Sequence, residues 1–214
     1  MFCPVEGFKT TYKLGDFSAA GMQDWGDSIQ FLDPDTASTY VQAVYLDAET
    51  YGEELAGWWK NDSAFVDDAD RLDSQEFDYG TSFLAAFTSG ETVTIKYAGA
   101  VIKEGKTFTY SQQSVFFGNY LPKDLTLADI SATGMQDWGD SIQILDPDTA
   151  STAVQAVYLD AETYGKELAG WWKNDSAFVD DADRLDNQPV PAGQGFLAAF
   201  TSGEVISVSF PAAY

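Results

Sequence analysis

Histidine does not occur in this chain of 214 residues, and cysteine occurs once. The first absence removes the commonest general base and the commonest metal ligand, and it excludes zinc sites of the usual nitrogen and sulfur type. The second excludes an intrachain disulfide and leaves stability to packing. Cys3 reads as a bystander near a terminus, with pairing between chains as the alternative. Basic residues are scarce, 11 against 34 acidic ones, for a net charge of −23. A field of that sign repels phosphate backbones and anionic headgroups, so neither nucleic acid nor simple membrane adhesion is expected, whereas a divalent cation or a basic partner is compatible with it. The plainest role of such a coat is solubility. No apolar run approaches the roughly eighteen residues of a membrane helix, and no basic start followed by an apolar core marks a secretion signal. The opening Met1-Phe2-Cys3-Pro4-Val5 reads as a mature region restarted with methionine, although a cytoplasmic protein would begin the same way.

What is present is enough to fold. Hydrophobic residues make up 45% of the chain and aromatics 15%, well outside the disordered range. The dominant feature is an internal repeat. GMQDWGDSIQ begins at Gly21 and again at Gly134, an offset of 113 residues that then continues without a gap. Between Gly21 to Gln75 and Gly134 to Gln188 only four positions differ: Phe31/Ile144, Tyr40/Ala153, Glu53/Lys166 and Ser74/Asn187. Cores tolerate hydrophobic swaps and loops tolerate more, so identity through DPDTAST and WWKNDSAFVDDADRLD reflects either recent duplication or one surface kept for one task. The copies diverge over 76–82 against 189–195, where shared Gly80 and Gly193 predict a common turn, and they agree again in FLAAFTSGE at 83–91 and 196–204.

Period-two alternation in Thr92-Val93-Thr94-Ile95-Lys96-Tyr97 and Ile206-Ser207-Val208-Ser209-Phe210 predicts half-buried strands. Residues 107–110, 114–117, 40–46 and 83–87 read as strands from their β-branched and aromatic content. Asp33-Pro34-Asp35-Thr36 and Asp146-Pro147-Asp148-Thr149 carry turn chemistry, and Ser89-Gly90 and Ser202-Gly203 read as tight hairpin turns. Residues 48–60 mix helix formers with Gly52 and Gly57, which predicts a short helical turn or irregular loop leading into a tryptophan-containing strand. The expected fold is all-β: two tandem homologous domains, 1–100 and 101–214, each an antiparallel β-sandwich or small barrel.

Three kinds of site are candidates. Trp58, Trp59, Trp171 and Trp172 form two adjacent pairs; neighbours on a strand point to opposite faces, so one indole of each pair is a candidate for stacking on a sugar ring, with ordinary packing of both as the alternative. Trp25 and Trp138 accompany them as conspicuous aromatics. The acidic runs Asp67, Asp68, Asp70, Asp73 and Asp180, Asp181, Asp183, Asp186 offer oxygen ligands that suit calcium, though without the glycine-centred loop of an EF-hand; apart from calcium no cofactor is expected. In the alternative these aspartates are a solvated loop with Arg71 and Arg184 as partners. No nucleophile elbow, phosphate loop or metal motif occurs, and paired carboxylates among 34 acidic residues arise by chance, so an enzyme is not expected.

Gly139-Asp140-Ser141-Ile142-Gln143, Gly170-Trp171-Trp172 and Pro191-Ala192-Gly193-Gln194-Gly195-Phe196 resemble the pattern of a largely uncharacterised β-rich domain that recurs in secreted and surface proteins of bacteria. The resemblance covers nearly the whole chain and implies an extracellular or cell-surface location more than any chemistry. The first copy departs from it at Tyr79-Gly80-Thr81-Ser82-Phe83, which lacks the proline and one glycine.

Strand-like residues Val101 to Tyr110 precede the second copy, with no counterpart before Met1. If they belong to the second domain, the first presents an open edge for a neighbour's strand, and head-to-tail contacts of that kind propagate into filaments. If not, they are an interdomain linker. The expected function is thus a non-catalytic secreted or cell-surface structural or adhesive module, associating with itself or with other surface proteins. The alternative is a carbohydrate-binding module that uses exposed tryptophans.

Overall fold

The computed structural model describes residues 11–33, 40–61, 64–78, 80–97, 104–111, 113–145, 153–174, 177–178 and 180–213. Cys3, the two Asp-Pro-Asp-Thr turns beyond their first residue in the first copy, residues 101–103 and the proposed boundary at residue 100 lie outside them. The first half contains β1 (Thr11–Lys13), β2 (Phe17–Ala20), β3 (Asp27–Leu32), β4 (Tyr40–Leu46), β5 (Gly57–Lys60), β6 (Glu76–Asp78), β7 (Leu84–Phe87) and β8 (Thr94–Tyr97). The second contains β9 (Lys106–Tyr110), β10 (Gln113–Gly118), β11 (Leu125–Thr126), β12 (Ser131–Thr133), β13 (Asp140–Leu145), β14 (Ala153–Leu159), β15 (Gly170–Lys173), β16 (Pro189–Val190), β17 (Gly195–Phe200) and β18 (Ile206–Phe210). The single α-helical turn among the described residues, α1 (Ala48–Tyr51), begins where the Asp47 carboxylate accepts from the Thr50 N–H and ends at Gly52, φ 85°. It leads into β5 as the composition of 48–60 implied.

All ladders are antiparallel, and no sheet among the described residues closes into a barrel. In the second half, β10-β17-β13-β14-β15 form one sheet and β12-β18-β9 another. In the first half the corresponding orders are β5-β4-β3-β7 and β2-β8. The turns at Ser89-Gly90 and Ser202-Gly203 are therefore not hairpins. β7 pairs with β3 and β8 with β2, so each turn carries the chain from one sheet to the other as an arch. The reason is local: the Asp27 carboxylate captures the backbone N–H groups of Thr88 and Ser89 (2.9 and 3.0 Å), diverting the chain before it can fold back on itself. The β12 to β13 and β9 to β10 connections are arches too, so in the second half three arches stack, with the β17 to β18 arch in the middle.

Alternation decides what the arches enclose. On β17, Phe196, Ala198 and Phe200 are buried, and on β18, Ile206, Val208 and Phe210 are. They belong to one hydrophobic cluster that draws on Phe117 to Ala213, while a second cluster draws on Tyr12 to Phe83. The halves meet at the Gly118 end of β10, where the Ser82 N–H donates to the Phe116 carbonyl (3.2 Å), the Ser82 hydroxyl to the Phe117 carbonyl (2.8 Å) and the Gly118 N–H to the Gly80 carbonyl (3.0 Å). Tyr40, one of the four positions at which 21–75 and 134–188 differ, packs there on Phe116 at 5.5 Å between ring centroids. Gly80 and Gly193 both have positive φ, 87° and 79°, as their shared place in the repeat implied.

Candidate functional site

The tryptophans on β5 and β15 are not the exposed ones. Trp58 and Trp171 are fully buried, and Trp59 and Trp172 are 2% exposed. Trp58 points into the core, where its indole N–H donates to the Phe17 carbonyl (3.0 Å); Trp171 does the same to Ile130 (2.6 Å). Trp59 is sealed from outside: its indole N–H donates to the Leu55 carbonyl (2.8 Å), Phe65 meets it edge-on at 6.1 Å, and the Arg71 guanidinium lies 5.2 Å from its ring. Arg184 covers Trp172 at 4.9 Å. The opposite-face expectation overlooked that a polar segment crosses the outer face of the strand. With ring faces covered and donors satisfied, none of the four presents the exposed indole that the sugar-stacking expectation required.

The acidic runs are divided among local tasks. Asp67 accepts from the Ala69 N–H (3.0 Å) and caps a 3-10 turn over Asp68–Asp70, as Asp180 does for Ala182 (2.9 Å). Asp70 pairs with Lys60 at 3.1 Å and Asp183 with Lys173 at 2.9 Å. Asp73 binds Arg71 and accepts from the Trp58 N–H (2.8 Å), and Asp186 repeats this with Arg184 and Trp171 (2.9 Å). Asp68 and Asp181 lie in the first turn of the two 3-10 segments without joining the others. Among the described residues no three acidic side chains converge as metal ligands, so the structure does not bring the calcium candidates together.

Two further features stand out, and of these the sequence singles out only the second, as an open edge. The first is the turn between β2 and β3, which carries Trp25 at 73% exposure and, in the second copy, Trp138 at 71%. The buried Asp27 builds it: its carboxylate accepts from the Gln23 N–H (3.0 Å) on one side and from the Ser89 hydroxyl (2.6 Å) and the Thr88 and Ser89 N–H groups on the other. Burial works against the charged form, but these hydrogen bonds outweigh it and hold the carboxyl below the ordinary aspartate value of 3.8. In the second copy Asp140 accepts from Gln136 (2.8 Å), Thr201 (2.8 Å) and Ser202 (3.0 Å). Beside Trp138 the Tyr164 hydroxyl donates to the Asp137 carboxylate (3.3 Å). Burial, with the Asp137 and Asp160 carboxylates adding to it, raises that phenol. The signal available in the sequence was the recurrence of Asp-Trp-Gly-Asp with Thr-Ser-Gly.

The second feature is an edge. β17 and β18 each have two neighbours, β13 with β10 and β12 with β9. Among the described residues β7 pairs only with β3, and β8 only with β2. Burial follows pairing: Phe200 is fully buried and stacks on Tyr110 at 5.5 Å, whereas its counterpart Phe87 is 41% exposed. Ala85, Val93 and Ile95 are partly exposed where Ala198, Ile206 and Val208 are buried. The β10 side of the junction adds a cleft of about 450 Å³ lined by Leu32, Glu76, Phe77, Asp78, Val115 and Phe116. Set against models of protein families, curated proteins and solved structures, the chain finds no match.

Proposed function

We propose that this protein is a non-catalytic structural or adhesive module, secreted or displayed at a cell surface, that joins neighbouring molecules by β-strand addition at the β7 and β8 edges of its first half. The observation that carries the reading is that, among the described residues, β7 pairs only with β3 and β8 only with β2, together with the half-exposed Phe87 where the second half buries Phe200. An unpaired strand edge bearing apolar side chains is a template for another chain, and main-chain hydrogen bonds supply affinity without any catalytic group. Concentration-dependent assembly, followed by light scattering, tests it. Growth beyond the monomer mass is expected as concentration rises, and a strictly monomeric protein at high concentration overturns the reading.

A carbohydrate-binding reading is favoured by one observation, the two exposed indoles Trp25 and Trp138 on turns held rigid by buried aspartates. An indole face on a preorganised turn beside a carboxylate stacks well on a neutral sugar ring. Glycan-array binding that disappears in Trp25→Ala with Trp138→Ala, while the fold is retained, supports this reading; binding unaffected by both substitutions overturns it.

A further inference from the structure

We infer that the Asp24-Trp25 and Asp137-Trp138 turns are receptors for arginine side chains of a basic partner polypeptide, each guanidinium lying on the indole and pairing with the carboxylate beside it. Such a receptor needs no strand addition, and it differs from a sugar site in using the same indoles to hold a cation. Each copy already contains a filled version of this chemistry. The Arg71 guanidinium lies 5.2 Å from the Trp59 ring while its Nε donates to the Asp73 carboxylate at 2.6 Å. Arg184 does the same with Trp172 at 4.9 Å and Asp186 at 2.5 Å. The turns offer the same two groups, an indole and a carboxylate, but among the described residues no cation lies over them, and Trp25 is 73% and Trp138 71% exposed. Arg71 and Arg184 are the only arginines in the 214 residues. Both are committed to Trp59 and Trp172, in a second copy as much as in this one, so the guanidinium that fills a turn comes from outside these residues.

The turn is shaped before a ligand arrives. In the second copy the Tyr164 hydroxyl accepts from the Asp137 N–H (3.5 Å) and donates to the Asp137 carboxylate (3.3 Å), which fixes that carboxylate next to Trp138. Tyr51 and Asp24 are hydrogen-bonded in the same way in the first copy. One phenol leaves most of a carboxylate's acceptor positions open to a forked donor. Charge selects what enters. From Leu14 to Trp59 the sequence has no lysine or arginine, and from Asp124 to Gly165 it has none either. A neutral ring gains nothing from such a field, an anion is repelled and a cation is drawn in. Arginine suits the pair of groups better than lysine, because its planar guanidinium is weakly hydrated, stacks on an indole and still donates to a carboxylate. One of the four differences between 21–75 and 134–188 grades the two sites: the exposed Glu53, two residues beyond Tyr51, is Lys166 in the second copy. The first turn is therefore the stronger receptor.

The test titrates the full-length protein at low salt with a synthetic peptide of Gly-Gly-Arg repeats and follows the indole N–H signals by NMR. Matched peptides carry lysine, or citrulline as the uncharged isostere, in place of arginine. Saturable shifts confined to Trp25 and Trp138 are expected, with the other four indoles unmoved. The lysine peptide, of equal charge, should bind about 2–5-fold more weakly, and the citrulline peptide not measurably. Trp25→Ala combined with Trp138→Ala should lower the affinity measured by calorimetry about fivefold or more. Should that variant lose its fold, the exposed position 53 gives the second readout: Glu53→Lys should weaken the response at Trp25 about 2–5-fold and Lys166→Glu strengthen that at Trp138 by as much, changes to which a neutral ligand is blind. Equal affinity for the arginine and lysine peptides that survives loss of both indoles marks attraction to bulk charge alone and overturns the inference. Shifts of the two indoles by a neutral oligosaccharide but not by the arginine peptide overturn it as well and leave the carbohydrate reading standing. No shift with either ligand overturns both, and none of these results bears on strand addition, which light scattering of the protein alone decides.

Discussion

At the scale of single residues, buried polar side chains do more to define this protein than its surface charge does. Asp27 is a carboxylate at 1% exposure with no cationic partner among its hydrogen bonds, stabilised by three backbone N–H groups and one hydroxyl. Hydrogen bonds to a charged group contribute about 1.5–3 kcal/mol, so Asp27→Ala should destabilise the first half by at least about 2 kcal/mol in denaturant titration at neutral pH. The pH dependence follows from the depressed folded-state pKa. The unfolded chain takes up its proton first as pH falls, so the stabilisation is complete well above 3.8 and is lost progressively below it. The difference between the native protein and Asp27→Asn should therefore shrink as pH drops below about 4. A difference that stayed constant from pH 7 to pH 3 would show that the carboxylate is not the stabilised species. The tryptophans divide along the same principle. Indole N–H groups that reach a carbonyl are packed away at 58, 59, 171 and 172, while those on the turns at 25 and 138 stay in solvent.

At the scale of elements, the arch is the unit that repeats. Its two strands share no ladder, so the turn between them, not cross-strand pairing, must hold the geometry. Gly21 and Gly134 open the connections from β2 to β3 and from β12 to β13 with φ of 82°, and a Cβ at either would overlap the carbonyl oxygen of Thr92 or Val205. Gly134→Ala therefore combines left-handed backbone strain with a collision against rigid main chain, and should cost at least about 2 kcal/mol in a thermal or denaturant midpoint. Gly203→Ala, at φ 86° in open space, should cost less, because only the backbone strain remains. Equal losses at the two positions would mean that the approach of the arches to one another is not tight. Much of this level was readable beforehand: β4 and β18 occupy 40–46 and 206–210, and β8 to β10 lie within the predicted segments or within two residues of them. The sheet to which each strand would add was not readable, since period-two alternation reports which side chains are buried and is silent on which edge supplies the hydrogen bonds.

At the scale of the whole molecule, charge opposes the association proposed for β7 and β8. Like-charged chains of net −23 repel over a distance set by salt, about 30 Å at 0.01 M and about 8 Å at 0.15 M. Assembly through β7 and β8 should therefore strengthen as ionic strength rises over that range, which light scattering at fixed protein concentration will show. Assembly that weakened with salt would instead indicate attraction between opposite charges at the contact. The sequence by itself determined the repeat, the all-β class, the absence of histidine chemistry and the places of most strands, because these depend on residue identity and on the short periods of local backbone. Only the tertiary structure decided that Trp58 and Trp59 are both covered, that Asp67 to Asp73 cap and pair instead of converging, and that nearly identical halves end in different edges. Those outcomes depend on which distant segment packs across a strand, and 113 residues separate positions whose sequences agree while their neighbours do not.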